Sequence, residues 1–213
     1  MGEKEIILVD KPKGISSFDV IRQLRKKLGV RKMGHSGSLD PLATGLLLVG
    51  INEGTKKLKE LIKLPKTYEA QILLGRKTTT GDLEGAVLEE KKVGELNIDK
   101  VKEILGEVKG KLVLRVPLYS AVKVRGRRLY KAARKGEKIE PPEKEMEIYD
   151  IEFRDIRKED SFYILEVILE VKSGTYVRSV AEEIGRRLGL PATLKDLRRT
   201  RIGNYRIEDA EKL

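Results

Sequence analysis

The residues best placed to do chemistry lie between Arg31 and Pro41, RKMGHSGSLDP. Eleven positions there hold two glycines, two serines, the chain's one histidine and an Asp-Pro pair. An Asp before Pro is pushed out of the helical region, so the Asp40 carboxylate is expected at a loop tip, just ahead of the apolar run LATGLLLVGI. Gly34 and Gly37 allow another backbone to approach closely, and Arg31, Lys32 and His35 supply donors beside them. The dipeptide alone would favour an ordinary Asp-Pro turn, and it is the company it keeps that singles out Asp40.

Other chemistries find too few residues. Gly45 to Gly50 has the spacing of a phosphate loop, but Ile51-Asn52 stands where Lys-Ser/Thr would hold phosphate and magnesium. His35-Ser36-Gly37 lacks the G-x-S-x-G elbow of a serine hydrolase. One histidine and no cysteine leave a tight transition-metal site improbable, and they exclude disulfide scaffolds, zinc ribbons and thiol enzymes. The balance of 45 Lys plus Arg against 34 Asp plus Glu gives a formal charge of +11, which favours a polyanionic partner, nucleic acid being the commonest. With 39% hydrophobic and 37% charged residues among 213, the chain is apolar enough to fold as one large domain. Its start, MGEKEIILVDKPKG, has neither signal-peptide nor transit-peptide character, and no apolar run approaches a membrane span, so a cytoplasmic location is expected.

The elements that must position these residues follow from periodicity. Ile6 to Val9 reads as a short buried strand ending in the Asp10-Lys11-Pro12-Lys13-Gly14 turn. Ser16 and Asp19 resemble a capping box for a helix that ends at Gly29, with Phe18, Ile21, Leu24 and Leu28 expected as its apolar face. Residues 31 to 41 are expected as an ordered loop, Thr67 to Leu74 as a strand and Asp99 to Leu105 as a short helix. Val113 to Val124 is strand-like. It gives way to a basic run in which Lys123, Arg125, Arg127, Arg128, Lys131, Arg134 and Lys135 carry seven positive charges and no acid intervenes. Two strands are expected over 145 to 172 and a helix over Tyr176 to Leu188, while Leu194 to Arg201 packs three arginines and a lysine into eight residues. Strands mixed with isolated helices, without strict βαβ alternation, predict an α+β fold around a mixed, largely antiparallel central sheet flanked by helices and loops.

The segments GHSGSLDPLATGLL, KTYEAQILLG, VPLYSAVKVRGRRLYKAARKG and GTYVRSVAEEIGRRLG, in that order, resemble the TruB-type family of tRNA pseudouridine-55 synthases. The match runs from LVDKPKGISSFDVI to LRRTRIGNY, nearly the whole chain. The resemblance implies the pseudouridine synthase fold, with residues 1–213 forming a catalytic domain that carries an RNA-gripping insertion at about 124–146. It implies isomerisation of one T-loop uridine of tRNA on a flipped-out base, with no metal and no nucleotide cofactor.

By the same resemblance Asp40 is the aspartate that attacks the uridine, at the ribose or at the base. Arg178 is the arginine that pairs with it, where an opposite charge would favour the ionised carboxylate. Tyr68 is the tyrosine that stacks on the uracil, and its hydroxyl is a candidate to handle a proton. His35 is the histidine that helps hold the flipped nucleotides, while Tyr176 and Leu197 match positions lining the uridine pocket. Lys11 is a candidate phosphate or packing contact, and the arginines near Leu197 are expected to grip RNA along with the basic insertion.

Bacterial members usually continue into a C-terminal RNA-binding domain of the PUA type, whereas this sequence stops ten residues after Gly203, so that appendage is expected to be absent. A monomer acting on tRNA without a protein partner is expected. Two rivals remain: the related catalytic subunit of guide-RNA (box H/ACA-type) particles, and a non-catalytic tRNA-folding chaperone that would give Asp40 no role.

Overall fold

The computed structural model describes residues 5–124, 126–137 and 139–213. The first four residues of the segment read for targeting, Arg125 of the basic run and Lys138 of the expected insertion lie outside the described residues.

In chain order the elements begin with β1 (Ile6–Lys11), α1 (Ser17–Leu28), β2 (Met33–His35) and β3 (Thr44–Ile51). A 3-10 turn over Asn52–Lys56 leads into α2 (Leu58–Leu61), followed by β4 (Lys66–Leu74), β5 (Arg76–Thr78), β6 (Val87–Glu90), α3 (Ile98–Glu107) and β7 (Gly110–Arg115). Then come β8 (Lys123–Val124), β9 (Arg127–Arg128), α4 (Leu129–Arg134), β10 (Glu143–Glu159), β11 (Phe162–Val171), α5 (Val177–Leu188), β12 (Ala192–Ile202), β13 (Tyr205–Arg206) and β14 (Glu211–Lys212).

The chain forms two compact units. One comprises the segment ending at Glu69 together with Glu170–Ser173 and Leu197–Leu213, and the other comprises Ala70–Leu169 and Gly174–Asp196. In the first the strand order is β14-β1-β3-β12-β4, and in the second β4-β11-β10-β7. β1 and β2 pair antiparallel to β3, and β10 pairs antiparallel to β7. β12 runs parallel to β3 and β14 parallel to β1. The class is therefore α+β with a mixed, mostly antiparallel sheet, as periodicity predicts.

β3 is central to the first unit, and every residue from Gly45 to Ile51 is buried. Leu47, Val49 and Ile51 pack with Val20, Ile21 and Leu24 of α1, while Leu46 and Leu48 pack with Leu61 and Ile202 on the opposite side. Alternation along an extended chain sends neighbours to opposite faces, so a strand covered on both sides must be apolar throughout.

Helix α1 starts where its cap predicts. The Ser16 side chain accepts from the Asp19 amide, and Asp19 reaches back to the Ser16 amide, closing a capping box, while Gly29 ends the helix with φ of 67°. Its buried stripe is Ser17, Val20, Ile21 and Leu24, each apolar member stabilising by roughly 1.5 to 3 kcal/mol. Phe18 and Leu28, expected on the apolar face, lie outside it at 55% and 45% exposure. The covered stripe is centred about 100° away from Phe18, which therefore faces water. Leu28 continues the line of Ile21 and Leu24 but stands at the last residue of the helix, beyond the covered part.

Two further expectations are corrected. The loop over 31 to 41 contains β2, because Met33 to His35 find partners Ile51 to Val49 on β3. The strand read from Val113 stops at Arg115, as the Val116-Pro117 step turns the chain away after Val116 bonds back to Pro142.

Candidate functional site

In the first unit the chain leaves β2 through Ser36, whose amide donates to Leu48 O at 3.0 Å, and turns at Gly37 with φ of 108°. Asp40 then opens a turn in which the Ala43 amide donates to Asp40 O at 3.0 Å, with Pro41 at the position where a ring-fixed φ suits the turn. Both neighbours of Asp40 are held from outside the loop. Ser17 Oγ accepts from the Leu39 amide at 2.8 Å and lies 3.2 Å from Leu39 O, while the Gly14 amide donates to Pro41 O at 2.8 Å. The half-buried Asp40 thus sits on a peptide fixed by the first turn of α1 and by the Lys-Pro-Lys-Gly turn.

Arg199 of β12 fixes the same loop from beneath. Its guanidinium is 1% exposed, with Nε donating to Leu46 O at 2.7 Å and Nη2 to Gly37 O at 3.2 Å. Arg199 pairs in parallel with Gly45, whose φ is 103°, and a Cβ on Gly45 would lie 2.3 Å from Arg199 O. Only glycine there lets β12 come close enough for the guanidinium to reach the loop. Burial and then the Arg199 charge hold the His35 imidazole below its usual range, so it is neutral at pH 7, and its Nδ1 is buried without a hydrogen-bond partner. A neutral imidazole recognises a base or sugar by hydrogen bonding rather than a phosphate by charge.

Tyr68 lies on β4, 8% exposed and on the same face as Lys66, while Leu197 lies on the neighbouring β12 at 6%. Lys66 Nζ donates to Ile62 O and Leu64 O at 2.6 Å each and to Ser173 Oγ at 3.0 Å, anchoring the start of β4 two residues before Tyr68. Burial, with the Arg199 charge behind it, pushes Lys66 down to about 8. Lys11 is fully buried and its Nζ donates to Pro12 O and Ile15 O at 2.8 and 2.7 Å, so it braces its own turn in a packing role.

In the second unit Arg178 is the second residue of α5 and is 5% exposed, which removes it from the class of surface helix arginines. Nη1 donates to Thr80 O at 2.8 Å, Nη2 donates to Tyr119 O at 3.1 Å, and Asp82 Oδ2 lies 3.7 Å from Nη1. Asp82 is itself buried, accepting from Thr80 Oγ1 at 2.5 Å and from the Glu84 amide at 3.1 Å. Tyr176 caps the same helix, with its amide toward Met146 Sδ at 3.4 Å and Lys144 Nζ 5.7 Å from its ring centre. The basic run forms the β8–β9 hairpin and α4, anchored by buried Leu129 and Ala132. A hollow of about 560 Å³ there is lined by Lys123, Arg127, Arg128, Lys131 and Lys135 with one carboxylate, Glu137, 3.4 Å from Arg127.

The profile described as "TruB family pseudouridylate synthase (N terminal domain)" matches residues 25–177. The chain belongs to this family. It is 42% identical over 207 residues to tRNA pseudouridine synthase B of Aquifex aeolicus, spanning 97% of this chain and 71% of that one. It is 40% identical to tRNA pseudouridine synthase B of Mycobacterium sp. strain KMS, spanning 98% and 70%. Among solved structures it resembles a Cbf5-Nop10-Gar1 complex (TM-score 0.72, 28% identity, 98% of this chain and 52% of that one). It also resembles an H/ACA ribonucleoprotein bound to a substrate RNA containing 2′-deoxyuridine (TM-score 0.71, 25% identity, 97% and 50%). The chain therefore spans about half the length of these solved chains.

Within the TruB frame, the first unit carries His35, Asp40, Tyr68 and Leu197, and the second carries Tyr176 and Arg178. Two of the arginines near Leu197 are engaged within the protein. Arg198 binds both oxygens of Asp10 at 2.8 and 3.1 Å, Arg199 is buried, and Lys195 binds Glu159 at 2.8 Å, leaving Arg201 exposed. The sequence reading missed Arg199 as the tether of the Asp40 loop and Asp82 as the carboxylate beside Arg178. Thr79-Thr80-Gly81-Asp82 signals a turn, but nothing local says that Leu194 bonds back to Gly81 O at 2.9 Å or that Arg178 arrives from almost a hundred residues on.

Proposed function

We propose that this protein isomerises uridine 55 in the T-loop of tRNA to pseudouridine, with Asp40 as the nucleophile. The observation that carries the reading is the Asp40 turn, a half-buried carboxylate whose two flanking peptides and preceding glycine are each tied to a different element. Fixing a reacting group in this way lowers the entropic part of a barrier. The relatives named tRNA pseudouridine synthase B support tRNA as the substrate, and the +11 charge with the five-cation hollow suits a polyanion.

In the proposed reaction the target uridine leaves its stack and Asp40 attacks it, at the ribose or at the base. The N1–C1′ bond breaks, the uracil turns, C5 bonds to C1′ as the bond to Asp40 is released, the C5 proton leaves and N1 takes up a proton, so product and substrate are isomers. Stacking on Tyr68 holds the detached base, a contact worth roughly 1 to 3 kcal/mol. His35 and Leu197 are assigned to the nucleotides around the target, and Tyr176 and Arg178 to the substrate from their own unit. The proposed setting is the cytoplasm, with the chain acting as a monomer on tRNA without a protein partner. Among the described residues no helix is long and apolar enough to cross a membrane.

The likeness to H/ACA particles favours a second reading, a catalytic subunit directed by guide RNA. Identities of 42% and 40% to the synthases against 28% and 25% to those complexes support the stand-alone form. The test is incubation with an unmodified tRNA transcript alone, followed by carbodiimide treatment and primer extension. A new stop at uridine 55 is expected, and none without added guide RNA or protein would overturn the reading.

A further inference from the structure

We propose that the outer stripe of α1 formed by Phe18, Arg22 and Arg25 is an RNA-contact surface, stacking an unpaired nucleotide next to the loop that bears Asp40. The inference rests on the proposed RNA substrate and adds a contact outside the residues assigned above.

Phe18, Arg22 and Arg25 follow the i, i+4, i+7 spacing of one helical stripe. Phe18 is 55% exposed, and the guanidinium carbons of Arg22 and Arg25 stand 5.7 and 5.9 Å from its ring centre. These distances are within cation–π range, so two cations stand close to a ring that remains exposed. The helix that carries the stripe is bonded twice to the segment leading to Asp40: Ser17 Oγ accepts from the Leu39 amide at its start, and Arg25 Nη2, on the stripe itself, donates to Met33 O at 3.2 Å.

Charge selects the occupant. Arg22, Lys26 and Lys27 are exposed on α1, and its one acid, Asp19, is occupied by the Ser16 cap and by Arg22. Hydrogen bonds from Ser16 and Arg22 hold Asp19 down at about 2, so it stays ionised and committed at neutral pH. A guanidinium offers five donors, which leaves Arg22 able to reach a phosphate while bonded to Asp19. One exposed ring among cations offers far less apolar surface than the roughly 800 Å² per partner of a stable protein interface. It does match one base with its phosphate, since every base has a π-face and an arginine plane can stack beside it.

The test uses an unmodified T-stem-loop hairpin transcript as probe, with Phe18→Ala, Phe18→Tyr and Arg22→Ala compared with wild type. Phe18→Ala is expected to weaken hairpin binding by about tenfold or more, with the loss in KM exceeding that in kcat. Phe18→Tyr, which keeps a stacking face, should restore affinity, and Arg22→Ala should lower the salt slope of binding by about one. Hairpin affinity of Phe18→Ala within twofold of wild type would overturn the proposal, as would failure of Phe18→Tyr to restore affinity at an unchanged Tm. A surface reserved for an acidic protein would give the first of these results. Wild type that binds the hairpin yet makes no pseudouridine overturns the functional reading alone, and the Phe18 affinities still decide this one. Wild type that does not bind overturns both.

Discussion

Replacing Arg199 with methionine keeps an unbranched side chain of similar length in the core but deletes two donors and a buried charge. Leu46 O and Gly37 O, bonded at 2.7 and 3.2 Å, would each lose that donor. A buried acceptor left unmet costs about 1 to 3 kcal/mol, so the pair sets a loss of roughly 2 to 6 kcal/mol. Relief of repulsion on the charged Lys66, which feels the Arg199 charge, offsets part of this. A net destabilisation of at least about 2 kcal/mol is expected in urea unfolding. Because the chain has one histidine, its imidazole can be titrated by NMR without assignment, and its pKa should move up toward 6.5 in the variant while staying below it, burial being the larger cause. Turnover should fall, by up to about a hundredfold if the freed Gly37 lets the Asp40 turn shift by about 1 Å. A variant within about 0.5 kcal/mol of wild type, with an unmoved histidine titration, would refute the tether argument.

Tyr68→Phe should keep base stacking and Tyr68→Leu should lose it; single-turnover assays at saturating RNA assign a proton-handling hydroxyl if Phe is already slow, and stacking alone if Phe is fully active. Neutralising Arg127, Arg128 and Lys131 together should weaken tRNA binding and flatten its salt dependence by up to about three counterions, and an unchanged slope would mean a merely solvated hairpin. For Lys66, the unfolded chain binds its proton with a pKa of 10.5 and the folded chain at about 8, so between those values the unfolded state carries more protons and stability rises with pH. Wild type should therefore gain stability from pH 8 to 10 relative to Lys66→Met, and parallel curves would contradict the burial of that charge.

Local signals in the sequence were enough for elements whose ends and faces are chemically marked. Ser16, Asp19 and Gly29 bound α1, and the apolar run centred on Leu46 to Val49 lies in the doubly covered β3. Misreadings arose where a partner distant in sequence decides. Phe18 has the apolarity of a core residue, but the face that β3 covers is centred on Val20, Ile21 and Leu24. Residues 194 to 201 look like a basic RNA surface, yet they belong to β12, where register with β3 turns Arg199 inward and Arg198 toward Asp10. The Asp40 loop stood out because its glycines, proline and donors are contiguous. The roles assigned to Tyr68, Tyr176 and Arg178 came from family resemblance, since periodicity alone makes Tyr68 an ordinary strand tyrosine.

The central claim is that Asp40 makes a bond to the uridine. Asp40→Asn keeps the shape of the side chain and the backbone hydrogen bond from the Ala43 amide that closes the turn, while removing the nucleophile. Single-turnover pseudouridine formation on unmodified tRNA, measured beside tRNA affinity, tests it most directly. The expected result is a rate lowered by several orders of magnitude with affinity near that of wild type. A rate within tenfold of wild type would contradict the claim.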